Sequence, residues 1–110
     1  MTTMVKTHAF QIWQVKDGQE FARERYTSLK DRKMLGLPVS KDHYRMVWAS
    51  SIDGDEDMDA LNALYEQFNV YAPADFRGRL MSVSDVIVLD GNRAYYCDPI
   101  GWGRLDKWED

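Results

Sequence analysis

The sequence predicts an α+β fold: a single compact domain in the order β-α-β-α-β-β-β, with helices packed on a mixed or antiparallel sheet. Three observations predict it. Runs rich in apolar, aromatic and β-branched residues stand at Ala9–Val15, Tyr44–Ser50 and Val83–Leu89. Between them, two segments repeat apolar residues near helical spacing. Asp90-Gly91-Asn92 then supplies a hairpin turn between Leu89 and a partner strand, Ala94–Cys97. A chain of 110 residues, 45% hydrophobic and 13% aromatic, suffices for one core. Residues 1–8 are expected to be a flexible N-terminus, 9–106 the domain and 107–110 a tail.

The elements follow in order. Ala9–Val15 is the first strand, closed by the turn signal Asp17-Gly18. Gln19–Leu35 carries Phe21, Ala22, Tyr26 and Leu29 near helical spacing, with Gly36 placed to end a helix and Pro38 beyond it. Ser28, three residues before Asp31, is equally able to cap a second, shorter helix, so this segment reads as one helix or as a turn plus a helix. In Tyr44–Ser50, strand alternation sets Tyr44, Met46 and Trp48 on one face and Arg45 and Val47 on the other.

The acidic run Asp53–Asp59 precedes a helix whose Leu61, Leu64, Tyr65 and Phe68 share a face, and carboxylates favour a helix N-terminus. Asn69 is placed to end it in a left-handed conformation, and Tyr71–Asp75 reads as an exposed connection with a short helical turn after Pro73. Val83–Leu89 and Ala94–Cys97 form the hairpin, and Ile100–Leu105 adds a last short strand.

Charge narrows the function classes. Fourteen basic against 18 acidic residues give −4, the reverse of a phosphate-binding footprint, so direct nucleic-acid binding is not expected. Residues 1–50 carry nine Lys/Arg and five Asp/Glu, residues 51–110 five and thirteen, so the second half is at −8. Such halves attract each other across a fold, or leave an acidic face for a basic partner. Cys97, the one cysteine, excludes an intrachain disulfide and paired-thiolate metal sites. The polar Met1–His8 start and the absence of a long apolar run lead us to expect a cytoplasmic protein without membrane insertion.

The segment Asp75–Gly103, DFRGRLMSVSDVIVLDGNRAYYCDPIGWG, resembles the YodL-like family. The matching elements are Phe68-Asn69, Asp75-Phe76-Arg77-Gly78, Ser82-Val83-Ser84-Asp85-Val86-Ile87-Val88-Leu89, Tyr95-Tyr96 and Gly101-Trp102. Upstream, Arg25-Tyr26, Leu35-Gly36 and Tyr44-Arg45 also look like versions of this domain found on bacterial mobile elements. The resemblance implies a bacterial protein, of a host or of its plasmids, conjugative elements or phages. It implies no catalytic mechanism.

Tests for chemistry mostly fail. Asp55, Asp57, Asp59 and Glu66 match positions one, three, five and twelve of a calcium loop, but position six is Ala60 rather than glycine. His8 and His43 are far apart and lack helical ligand spacing. Neither metal nor other cofactor is expected. Phosphate-loop, dinucleotide, zincin and nucleophile-elbow signatures are absent. Cys97 alternates with Asp98 and reads as a packed, inert thiol. Catalysis would need a site assembled by tertiary structure, a small hydrolase or transferase using Asp85, Asp98 and His43 in one cleft.

The surviving candidate is a protein-binding patch of Tyr71, Phe76, Arg77, Arg79, Ser84, Asp85, Tyr96 and Trp102, since aromatic and arginine side chains anchor interfaces. Its partner is a host protein of unspecified identity. The structural alternative assigns Ser82, Ser84 and Asp85 to strand entry, Arg77 to a pair with Asp75 or Asp85, and Trp102 to the core. A narrower alternative makes the chain an acidic antidefence inhibitor on the nucleic-acid-binding surface of a host nuclease.

Overall fold

The computed structural model describes residues 6–108. Residues 1–5 and 109–110, which hold much of the expected flexible N-terminus and the end of the expected tail, lie outside the described residues. Seven elements appear in the predicted order: β1 (Thr7–Val15), α1 (Leu29–Leu35), β2 (Tyr44–Asp53), α2 (Asp57–Val70), β3 (Val86–Leu89), β4 (Arg93–Cys97) and β5 (Trp102–Leu105). The strands form one antiparallel sheet in the order β2-β1-β3-β4-β5.

β3 is central, and all four of its residues are buried, as a continuous apolar run requires when both faces of a sheet are covered. One face carries Phe10, Ile12, Ile87, Leu89 and Tyr95 under Leu61, Leu64 and Phe68 of α2. The other carries Val15, Tyr44, Val86, Val88, Ala94 and Tyr96, packed against Leu29, Val39 and Trp108. Trp108, in the expected tail, lies edge-on to Trp13 and Tyr44 at 5.6 and 5.1 Å between ring centres.

The segment 19–35 resolves into the shorter alternative, a 3₁₀ turn at Gln19–Phe21 followed by α1. Tyr26 at φ 66 breaks the chain direction, and the Ser28 hydroxyl accepts the Asp31 N–H at 3.2 Å to start α1. Gly36 at φ 68 ends it, with Leu37 N–H closing back on the Arg32 carbonyl at 2.8 Å.

Three expectations are corrected. The alternation in β2 is interrupted because pairing jumps from Trp13↔Met46 to Ile12↔Trp48, leaving Val47 as a bulge residue. Tyr44 therefore serves one face of the sheet, while Trp48 serves the other. Asn69 does not stop α2: the helix runs to Val70 and ends at Tyr71, whose φ of −127 is not left-handed. The strand expected from Val83 starts at Val86, because Ser84 at φ 89 takes the backbone out of the extended region.

Candidate functional site

The Ser82–Asp85 segment is a turn locked to four other parts of the chain, at Gln14, Tyr26, Tyr44 and Cys97. Asp85 is 1% exposed, and its Oδ2 accepts the Ser82 N–H at 3.0 Å and the Gln14 side-chain N–H at 3.1 Å. Gln14, buried on β1, also donates to the Arg79 carbonyl at 2.8 Å and accepts the Arg79 N–H at 2.8 Å. Gly78 lies beside this clamp because any Cβ there would meet the Phe76 ring at 2.6 Å and Gln14 Oε1 at 2.9 Å. Burial pushes the Asp85 carboxyl up to about 7, against the two hydrogen bonds that favour its charge.

Ser84 is fixed from both sides. Its hydroxyl accepts the Tyr26 N–H at 3.1 Å, its carbonyl accepts the Tyr44 hydroxyl at 2.7 Å, and its N–H reaches the Cys97 carbonyl at 3.0 Å. Ser84 and Tyr26, both non-glycine residues at positive φ, are thus held against each other.

Next to this knot lies Arg32, 1% exposed. Its guanidinium donates to Glu24 at 2.6 Å, to the Leu37 and Pro38 carbonyls at 3.1 and 3.0 Å, and to the Tyr44 hydroxyl at 3.0 Å. A longer bond of 3.4 Å reaches the Tyr96 hydroxyl, which itself donates to the Thr27 carbonyl. Glu24 completes the cluster by facing His43 Nδ1 at 2.9 Å. Every donor of the fork has an acceptor, the condition under which a buried charge is tolerated.

A second charged cluster joins β1, α2 and the hairpin. Arg93 bonds both oxygens of Asp57 at 2.7 and 3.0 Å and Asp90 at 2.7 Å, and the Tyr95 hydroxyl donates to Asp57 at 2.6 Å. His8, 6% exposed, places Nδ1 2.9 Å from Asp90 Oδ2 and Nε2 3.0 Å from the Gly54 carbonyl. A carboxylate and a carbonyl only accept, an arrangement that favours the protonated imidazole, in which both ring nitrogens donate. The Asp90 hydrogen bond accordingly raises the His8 pKa, against the desolvation that comes with its burial. Hydrogen bonds from His8 and Arg93 hold Asp90 down to about 2.

The groups proposed for catalysis do not converge. His43 faces Glu24, Asp85 faces Gln14 and Ser82, and Asp98 accepts the Leu29 N–H at 2.9 Å. Cys97 is 2% exposed, and burial pushes its thiol up to about 12, far from a thiolate nucleophile. Much of the acidic run is occupied structurally: Glu56 and Asp59 form a capping box on α2, Asp57 holds Arg93, and Asp53 accepts the Thr7 hydroxyl at 2.7 Å.

The eight residues of the candidate patch separate. Ser84, Asp85 and Tyr96 are buried in the knot. Phe76 is half-buried, edge-on to Phe68 and Trp48 at 5.0 and 6.0 Å, and Trp102 is half-buried with its indole N–H on Asn62 at 3.3 Å. Arg79 pairs with Asp17 at 2.8 Å and donates to the Val15 carbonyl at 2.7 Å. Arg77 is exposed and, among the described residues, its side chain hydrogen-bonds the Ala74 carbonyl at 3.3 Å rather than Asp75 or Asp85. Tyr71 is 72% exposed beside Val70, and Leu80 on the following loop is 63% exposed.

The sequence pattern of the YodL-like domain matches residues 9–107. The chain belongs to the YodL-like family. It is similar to the uncharacterized protein YodL of Bacillus subtilis (strain 168), with 32% identity over 73 residues that cover 61% of this chain and 70% of that protein. No solved structure matches the fold.

In this YodL-like domain, the R-G, S-x-S-D and Tyr-Tyr elements are therefore the parts of one buried clamp: Gly78 and Asp85 on Gln14, Ser84 on Tyr26 and Tyr44, and Tyr96 on Arg32 and Thr27. Sequence reasoning missed Arg32, Glu24, Gln14 and His8 as members of buried networks. For His8 and Gln14 a signal existed: both share strand parity with Phe10 and Ile12.

Proposed function

We propose that this YodL-like domain is a non-catalytic protein-interaction module of a bacterial host or one of its mobile elements, acting in the cytoplasm by binding a host protein. The observation that carries this reading is the exit of α2. Val70, Tyr71 and Leu80 are 62%, 72% and 63% exposed and Arg77 is exposed in the same stretch of chain, while Ser84, Asp85 and Tyr96 are engaged inside. Exposed aromatic, aliphatic and arginine side chains on one short stretch are what interface centres use. Among the described residues no helix is long and apolar enough to cross a membrane.

Affinity capture from a bacterial lysate, quantified by mass spectrometry, tests the reading. A Tyr71→Ser/Leu80→Ser chain with an unchanged thermal melt should lose a protein that the parent chain retains. Equal recovery by both chains contradicts this surface.

A further inference from the structure

The end of the sheet opposite β2 carries a feature the α2-exit surface does not include. Two adjoining hollows of about 550 and 440 Å³ lie between α1 and β5, sharing Leu29, Lys33, Leu105 and Asp106. Leu29, Leu37, Val39 and Leu105 make the floor apolar. Lys30, Lys33, Arg104 and Lys107 stand exposed around it; among the described residues its lining holds one carboxylate, Asp106, with Asp98 engaged on the Leu29 N–H. Among the described residues none of these four cations enters an ion pair, although the chain as a whole carries −4. Arg104 instead lies over the Tyr95 ring, 5.4 Å from its centre.

One wall of the groove is a terminal strand. Among the described residues β5 pairs only with β4, so its outer edge keeps backbone donors and acceptors that no described strand uses. An open strand edge, an apolar floor and a cationic rim select the same kind of ligand. The edge asks for extended backbone, the floor for apolar side chains at every second position, and the rim for carboxylates between them.

We propose that the α1–β5 groove docks an extended segment of a partner protein in which apolar residues alternate with Asp or Glu. This site is independent of the α2-exit surface, so a chain carrying Tyr71→Ser/Leu80→Ser keeps it.

Fluorescence anisotropy on the full chain tests the proposal with a labelled peptide of roughly eight residues alternating valine and glutamate. Controls of the same length are oligoglutamate, a valine–lysine alternation and a single-stranded oligothymidylate. The valine–glutamate probe should bind at least about tenfold more tightly than any control. Lys33→Glu/Lys107→Glu, at two exposed positions, should weaken it by about tenfold or more with the melt unchanged, whereas Tyr71→Ser/Leu80→Ser should bind it as the parent does. No binding, equal binding of oligoglutamate or oligothymidylate, or indifference to the rim reversal overturns the proposal. So does self-association of the free chain that the same rim reversal abolishes, since the occupant would then be a second copy.

Discussion

The two charged clusters use similar groups to opposite effect. Around Arg32, a guanidinium, a carboxylate and two tyrosine hydroxyls are enclosed, and burial pushes the Tyr44 hydroxyl well above its ordinary range. Around Arg93, a guanidinium and two carboxylates are only partly covered, and the hydroxyl of the buried Tyr95 and the buried His8 imidazole join them. The first cluster is fixed by burial. The second holds the β1 start, the α2 start and the hairpin together by groups that titrate. Enclosure, rather than residue type, sets how completely each guanidinium is withdrawn from water.

The largest effect should come from opening the enclosed cluster. Arg32→Met strands Glu24 and removes donors from two carbonyls and two hydroxyls, so urea unfolding should show a loss of about 3–5 kcal/mol. A loss below about 1 kcal/mol would mean that the cluster is not held as described. In the adjoining clamp, Asp85→Leu leaves the Ser82 N–H and one of the two Gln14 amide N–H groups without an acceptor and should cost about 2–3 kcal/mol.

Asp85→Asn keeps an acceptor and should behave differently with pH. The folded pKa of Asp85 is raised to about 7, so the folded chain holds that proton more firmly than the unfolded one. Its contribution is present below the unfolded value and is lost as pH rises from about 4 to about 7. The Asn chain should lack that part of the decline and equal or exceed the parent in stability above it.

How far these positions were readable differs by residue. The strands and the hairpin were legible because Val86–Leu89 and Asp90-Gly91 are local signals, and local signals survive folding. Ser28 as a helix start was legible for the same reason. Arg32 was not: it sits among Lys30, Asp31 and Lys33, and nothing local marks it as the one that the Pro38 bend, Tyr44 and Tyr96 enclose. The candidate patch failed as one surface because Ser84, Asp85 and Tyr96 belong to a clamp assembled from segments up to 71 residues apart. The bulge at Val47 likewise depends on the register with β1, not on β2 itself.

The smaller test concerns the open cluster. The His8 pKa is raised by Asp90, so its stabilisation is complete below the ordinary histidine value and lost as pH rises through the folded one. The stability difference between the parent and His8→Gln should therefore shrink as pH is raised from about 5.5 to about 8.5. A difference that stays constant over this window would mean that the ring is neutral and accepts at one nitrogen.

The central claim is that the polar residues of the family segment maintain the fold while partner binding lies on exposed side chains. Capture by a folded Asp85→Asn chain, measured beside Tyr71→Ser/Leu80→Ser, tests it most directly. Asp85→Asn should retain the same partner as the parent, in the same amount, while the surface variant loses it. A folded Asp85→Asn chain that no longer holds the partner would contradict the account and place function in the buried carboxylate.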